Sequence, residues 1–328
     1  MKTTKLNILI LSTFSVLLIW AAGCRRDPMV FPDGSVCENF PPEPDGVGYQ
    51  YQTQNPTLNR QAPCFNPNNT AEISLTVGNI SNPAGDNLYT LNLNTGQKTF
   101  LVNNVWYQPK WSVKNWIVFN RTDRQIWKIK SNGDSLTQLT FSNENYAPEW
   151  SPDGEKLVYR QVIGSIYYIM ITTASGNKLD SITNAFYGNG SWAPNNTKIA
   201  TIYNASTGHN IGLIDIQSKA IKAITSYPEQ SPTGKTIINS MDWSNDSQSI
   251  FWCSGYGLYK TEVSSGITTQ LKYGCDRKYY IYPSISPDGQ KIIVGRIDAK
   301  LLNTNTIYSE YNLYIMNIDG SNETKINY

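Results

Sequence analysis

The feature that most restricts how this chain can fold is a repeat. Its fullest copy is Ala147-Pro148-Glu149-Trp150-Ser151-Pro152-Asp153-Gly154, followed by the apolar run Leu157-Val158-Tyr159. Edited copies centre on Trp111 (Pro109-Lys110-Trp111-Ser112, then Ile117-Val118-Phe119), on Trp192 (Trp192-Ala193-Pro194-Asn195-Asn196, then Lys198-Ile199-Ala200) and on Trp243 (Trp243-Ser244-Asn245-Asp246, then Ser249-Ile250-Phe251). In the last copy, Pro283-Ser284-Ile285-Ser286-Pro287-Asp288-Gly289, the anchor is Ile285, and in the first, Phe65-Asn66-Pro67-Asn68-Asn69, it is Phe65. The six anchors stand 46, 39, 42, 51 and 42 residues apart. A period near forty residues marks a propeller or a solenoid, in which each unit buries its apolar surface only against its neighbours.

Within one period the chain reverses and pairs with itself. Ser151-Pro152-Asp153-Gly154 has the composition of a type I turn, with Ser first, Pro fixing φ at the second position and Gly closing it. The run after it does not alternate with polar residues, as expected of a strand covered on both faces. A third strand follows in most copies, for example Ile126-Trp127-Lys128-Ile129 and Ile166-Tyr167-Tyr168-Ile169-Met170. Turn residues such as Ser131-Asn132-Gly133 end it, and a short fourth strand such as Gln138-Leu139-Thr140 closes the unit. Four short antiparallel strands per repeat is the blade plan of a β-propeller. Composition agrees, since 21 Tyr and 9 Trp against 16% charged residues suit an all-β body with aromatic packing between blades. A net charge of +2 argues against a nucleic-acid partner held by bulk electrostatics.

The pattern Pro-x-Trp-Ser-Pro-Asp-Gly, an apolar strand, then Ile-Tyr-x-Met-Asn-x-Asp-Gly and Leu-Thr resembles the TolB-like propeller repeat. It is carried here by Pro148 to Gly154, Leu313 to Gly320 and Leu139-Thr140. The resemblance covers Phe65 to Tyr328 and implies a six-bladed β-propeller of four-stranded antiparallel blades. Departures are Phe65 and Ile285 at the anchor and the missing Gly after Trp111, Trp192 and Trp243; these touch turn and packing detail.

Upstream of the repeats the chain changes character. Lys2 and Lys5 precede an uncharged run from Leu6 to Trp20, then Ala21-Ala22-Gly23-Cys24, the layout of a signal peptide over residues 1–23. A Cys after small residues resembles the bacterial lipoprotein cleavage site, which makes Cys24 the lipidated mature N-terminus and ties the chain to a membrane. The alternative is a transmembrane anchor, the run being near the lower limit for spanning. Residues 24–58, with Pro28, Pro32, Pro41, Pro42, Pro44 and Pro56, read as an extended tether, and 59–328 as the propeller. With Cys24 lipidated, four cysteines remain, and their placement favours the pairs Cys253–Cys275 and Cys37–Cys64. No two of them stand at the short spacing of a zinc site, so no metal or other cofactor is expected.

Catalytic chemistry is sparse. His209 is the single histidine, and no Gly-x-Ser-x-Gly elbow accompanies it. Prolyl oligopeptidase-like enzymes carry propellers, but the repeats here run to Tyr328 and no hydrolase domain is expected beyond them. Oligogalacturonate lyases resemble the fold too, yet their metal-bearing histidine cluster cannot be built from one His. Asp153, Asp288 and Asp319 are explained as turn residues, leaving no catalytic residue.

What remains is a surface on the longer connections, opposite the tight turns. Tyr107, Tyr146, Tyr187 and Tyr280 sit four or five residues before an anchor, a placement that rings them round the mouth of a central channel. Arg121, Arg160 and Arg296 end or follow second strands at the same mouth. Tyr with Arg on loops of a rigid scaffold is the composition of binding hot spots. The competing reading packs the tyrosines between blades and pairs the arginines with Asp123, Glu144 or Asp298. The expected function is a non-enzymatic, lipid-anchored envelope propeller, periplasmic or surface-facing, that docks an envelope protein or peptide. The long insert Ile297 to Tyr311 would suit a partner-specific contact. The alternative is a carbohydrate-binding or carbohydrate-processing lipoprotein taking a glycan at the aromatic channel mouth.

Overall fold

The computed structural model describes residues 29–30, 36–37, 50–53, 60–78, 85–183, 186–205, 208–225, 238, 240–254, 257–273, 278–303 and 306–328. The signal segment, Cys24 and most of the tether lie outside them. Among the described residues no helix is long and apolar enough to cross a membrane.

The chain forms an all-β propeller with antiparallel four-stranded blades. Arg60–Asn66, Asn69–Gly78, Asp86–Asn92, Lys98–Trp111, Trp116–Arg121, Ile126–Lys130 and Thr137–Gln138 pair in sequence order as one seven-stranded sheet. Lys98–Trp111 serves both halves of it: Lys98 to Val105 pairs back with Asp86–Asn92, and Val105 to Trp111 pairs forward with Trp116–Arg121. Three four-stranded sheets follow. They are Glu144–Trp150, Lys156–Ile163, Ile166–Thr173 and Lys178–Thr183; then Phe186–Trp192, Lys198–Ala205, Gly208–Asp215 and Ile221–Ala223; then Ser240–Trp243, Ser249–Cys253, Gly257–Glu262 and Thr268–Tyr273. Lys278–Ile285, Lys291–Asn303, Thr306–Asn317 and Thr324–Lys325 make the last, which Gln50–Thr53 extends by pairing in parallel with Thr306 to Ser309. The anchor-bearing strands touch one another in sequence order, and Lys278–Ile285 returns to touch Arg60–Asn66, which closes the ring.

The core is divided as the repeat predicts. Among the described residues it falls into six clusters, one holding each of Phe65, Trp111, Trp150, Trp192, Trp243 and Ile285. Trp150, for example, is packed with Val118, Ile126 and Leu139 of the preceding unit and Leu157 and Tyr159 of its own. Its indole Nε1 donates to the Lys110 carbonyl at 3.1 Å. The closing cluster joins Phe65, Ile73 and Leu75 to Ile293 and Leu313, the two ends of the ring.

The turns after the anchors follow one scheme. Ser151 Oγ donates to Asp153 Oδ1 at 2.6 Å and accepts from Lys156 N, and Gly154 takes φ +68°. Where the glycine is missing, Asn115 (φ +60°), Asn196 (φ +61°) and Ser247 (φ +61°) occupy the same left-handed position. Asparagine tolerates that region through local hydrogen bonding, so the departures leave the turn intact.

Candidate functional site

Side chains alternate along a strand, so an anchor that points between blades leaves the residue before it to point at the ring's axis. Those residues are Cys64, Lys110, Glu149, Ser191, Asp242 and Ser284. Two cavities meet at this ring. One, about 30 Å³, opens toward the longer loops; the other, about 180 Å³, opens toward the turns. Lys110 and Glu149 line both, and their ion pair, Nζ to Oε2 at 3.2 Å, crosses the channel between them.

Every oxygen of the two axial carboxylates is engaged. Glu149 Oε1 accepts from Ser191 Oγ at 3.0 Å and from Trp192 N at 3.3 Å. Asp242 accepts from Trp243 N at 3.0 Å through Oδ1 and from Ile285 N at 2.8 Å through Oδ2. Burial pushes both carboxyls above the ordinary range, with Lys110 pulling against it. Burial would lower the Lys110 ammonium, but Glu149 and Asp242 hold it above its ordinary value. Burial also pushes the Cys64 thiol up to about 11. One ammonium therefore serves two carboxylates. The ring was absent from the sequence reading. Its signal was present, because a polar side chain directly before a buried anchor stands on the opposite face of the same strand.

The mouth is built by bulges. The register slips between Trp106 and Lys110, between Tyr146 and Glu149, and between Ile281 and Ser284, with Tyr107 (φ +63°), Ala147 (φ +51°) and Tyr282 (φ +54°) in the left-handed region. A bulge re-aims the side chains beside it. Tyr107, 40% exposed, stands edge-on to Tyr146 with ring centroids 6.3 Å apart, and the Arg160 guanidinium lies 4.9 Å from the Tyr146 centroid. Tyr146 Oη donates to Glu144 Oε2 at 2.7 Å. Burial, then this bond, lifts the phenol to about 12, while the same bond and the Arg124 ion pair hold Glu144 low.

Two of the remaining expected site residues are withdrawn into the body. Tyr280 is 1% exposed and packs with Phe251, Leu258 and Val294 between the last two units, so it is a core residue and not a rim residue. Arg296 is also withdrawn: it pairs with Asp298 and Glu323, each at 3.0 Å, and its guanidinium lies 3.5 Å from the Tyr314 centroid. Both belong to the wall. The Arg121 guanidinium lies 4.9 Å from the Trp127 centroid. Tyr187 lies on Phe186–Trp192, and its side chain is outside the described residues. Cys64 and Cys253 are buried free thiols, so neither expected disulfide is formed. Cys253 points into the core against Leu258 and Tyr280, and Cys64 toward the axis. Cys275 and the Cys37 side chain lie outside the described residues. No group of three His, Cys, Asp or Glu suited to a metal occurs among the described residues.

The sequence profile of the TolB beta propeller domain matches residues 49–229, more than half of the chain. The chain belongs to the TolB β-propeller domain family. No curated protein matches the sequence. Among solved structures, this TolB-type propeller is similar to a TolB from Agrobacterium tumefaciens, at 16% identity and a TM-score of 0.60 over 72% of this chain and 86% of that one. It is similar also to TolB from Acinetobacter baumannii, at 18% identity and a TM-score of 0.61 over 78% of this chain and 63% of that one. An acylaminoacyl peptidase from Pyrococcus horikoshii matches at 12% identity and a TM-score of 0.53, over 82% of this chain but 46% of its own. At such identities the likeness is one of fold.

Proposed function

We propose that this TolB-type propeller is a non-enzymatic binding protein of the bacterial cell envelope, docking a protein or peptide on its long-loop rim. Residues 1–23 are its signal peptide, Cys24 its lipid-bearing N-terminus, 24–58 its tether and 59–328 its propeller. Counting Lys98–Trp111 as the last strand of one blade and the first of the next gives six blades. The observation that carries the docking reading is the exposed Tyr107 set edge-on to Tyr146, with Arg160 over the second ring. Rigid aromatics braced by an arginine are what a partner's side chains pack against at low entropic cost.

Two further observations favour binding over catalysis or a sugar in the channel. The axial carboxylates already accept backbone and hydroxyl hydrogens, and His209 Nδ1 accepts from Ile238 N at 3.2 Å, so these groups hold structural bonds. The loop-side cavity of about 30 Å³ is an order of magnitude below the roughly 300–1,000 Å³ of small-ligand clefts. Docking on the rim needs no cavity.

The reading is tested with a photo-reactive residue placed at position 107, or at position 288 on the opposite, turn-bearing face, in the full chain expressed in a bacterial envelope. A defined adduct from 107 and none from 288 is the expected result; adducts from 288 alone would refute the rim. Lipidation is tested separately. Labelled palmitate should enter the chain and be lost in Cys24→Ala, and label that survives that change would overturn the lipoprotein assignment.

A further inference from the structure

We propose that the groove between the first two repeat units, on the turn-bearing face, is a binding site for a neutral saccharide. At this interface the glycine of the closing turn stands clear of the preceding unit's backbone, as Gly96 does after the third strand of the first unit. At three other interfaces the glycine after the third strand presses onto the preceding unit's backbone: a methyl group at Gly176 would come within 2.6 Å of Leu139 O, one at Gly320 within 2.8 Å of Leu271 O, and one at Gly266 closer still to Ile224 O. At Gly133 the nearest atom would be a Leu101 methyl, 3.8 Å away. The turn therefore does not seal this groove, and a cavity of about 410 Å³ remains, within the size range of small-ligand clefts at roughly 300–1,000 Å³.

The lining fits a polyol. Thr90, Gln97, Thr99, Asn115 and Ser131 bring hydroxyl and amide groups into the groove from both units. Glu72 adds an acceptor, its Oε2 held by Asn66 Nδ2 at 2.9 Å. Among the described residues no lysine or arginine lines it. Neutral donors and acceptors side by side match ring hydroxyls, which both give and accept hydrogen bonds, whereas an anion would meet the Glu72 carboxylate. Trp111 supplies an apolar floor. The groove lies on the face opposite the tyrosine rim, so it could hold a glycan while a partner occupies the rim.

The test is saturation-transfer NMR of the full propeller with glucose, galactose, mannose, N-acetylglucosamine and their β-linked disaccharides at millimolar concentration, followed by calorimetric titration of any that respond. Gln97 and Thr99 are exposed, so Gln97→Ala/Thr99→Ala should melt as the parent does while binding about tenfold more weakly, the loss expected for hydrogen bonds removed from a bound ligand. Thr99→Trp fills the groove and should abolish binding. Tyr146→Ala, on the opposite face, should leave it unchanged. The proposal is overturned if no saccharide of the panel gives transfer, if binding survives Thr99→Trp, or if Tyr146→Ala removes it. The last outcome would move the sugar to the rim.

Discussion

Lys110 is the residue on which the channel depends. Among the described residues it is the single ammonium facing Glu149 and Asp242, and removing one partner of a buried pair costs about 3–5 kcal/mol; Lys110→Met should lower stability by that order. The effect has a pH signature. Both carboxyls have folded pKa values raised by burial, so their contribution to stability is full below the ordinary carboxyl range and is lost as pH rises through the raised values. Without Lys110 those values rise further. The deficit in melting temperature should therefore widen from about pH 5 to about pH 8, and a deficit equal at both would show that the pair is not charged in the fold. Trp150, which is 6% exposed, tests the anchors: Trp150→Ala should cost about 3–5 kcal/mol by denaturant titration. At this scale the anchors were legible because they repeat. The axial ring was not, since its members, a thiol, an ammonium, two carboxylates and two hydroxyls, share a position and no chemistry. Tyr280 and Arg296 were misplaced for a related reason. Spacing from an anchor gives depth along the strand, but Tyr280 faces the neighbouring unit and Arg296 finds acids on both sides, Asp298 and Glu323.

At the level of elements, the bulges and the closing glycines set the geometry. Ala147 sits at φ +51° with its N–H donating to Asn120 Oδ1, a conformation that costs an L-residue about 1–2 kcal/mol. Ala147→Gly should stabilise by up to about 1 kcal/mol, the relief being offset in part by unfolded-chain entropy. Equilibrium unfolding that shows a loss instead would remove the strain. Gly96 and Gly266 separate strain from contact. Both lie near φ +72°, at +71° and +72°, but a methyl at Gly96 meets nothing within 4 Å and one at Gly266 runs into Ile224 O. Gly266→Ala should therefore lose clearly more stability than Gly96→Ala in parallel melts. The four-strand plan was legible from turn residues and apolar runs. The bulges were not, because Tyr107, Ala147 and Tyr282 carry no glycine to announce a positive φ. The same lack of a signal hid the hairpin of Lys291–Asn303 and Thr306–Asn317, whose far end pairs with Gln50–Thr53.

For the whole molecule, closure is the organising fact. Each unit's apolar surface is covered by the next, and the Phe65 cluster joins the last unit to the first, so the propeller has no terminal unit left open as a solenoid would. Such a ring is a rigid frame for loops, and the two faces it presents differ in chemistry: aromatic and arginine on the loop side, amide and hydroxyl in the groove on the turn side. The repeat made the frame legible in the sequence. It was silent on what the faces bind, because the connections that form them differ from unit to unit. A protein partner on the loop rim is tested by in-cell cross-linking of the full chain beside Tyr107→Ala/Tyr146→Ala, with identification of what is captured. One defined envelope protein should be captured by the parent and lost from the double variant, whose melting temperature stays that of the parent. Capture of the same protein by both chains would contradict docking on the rim.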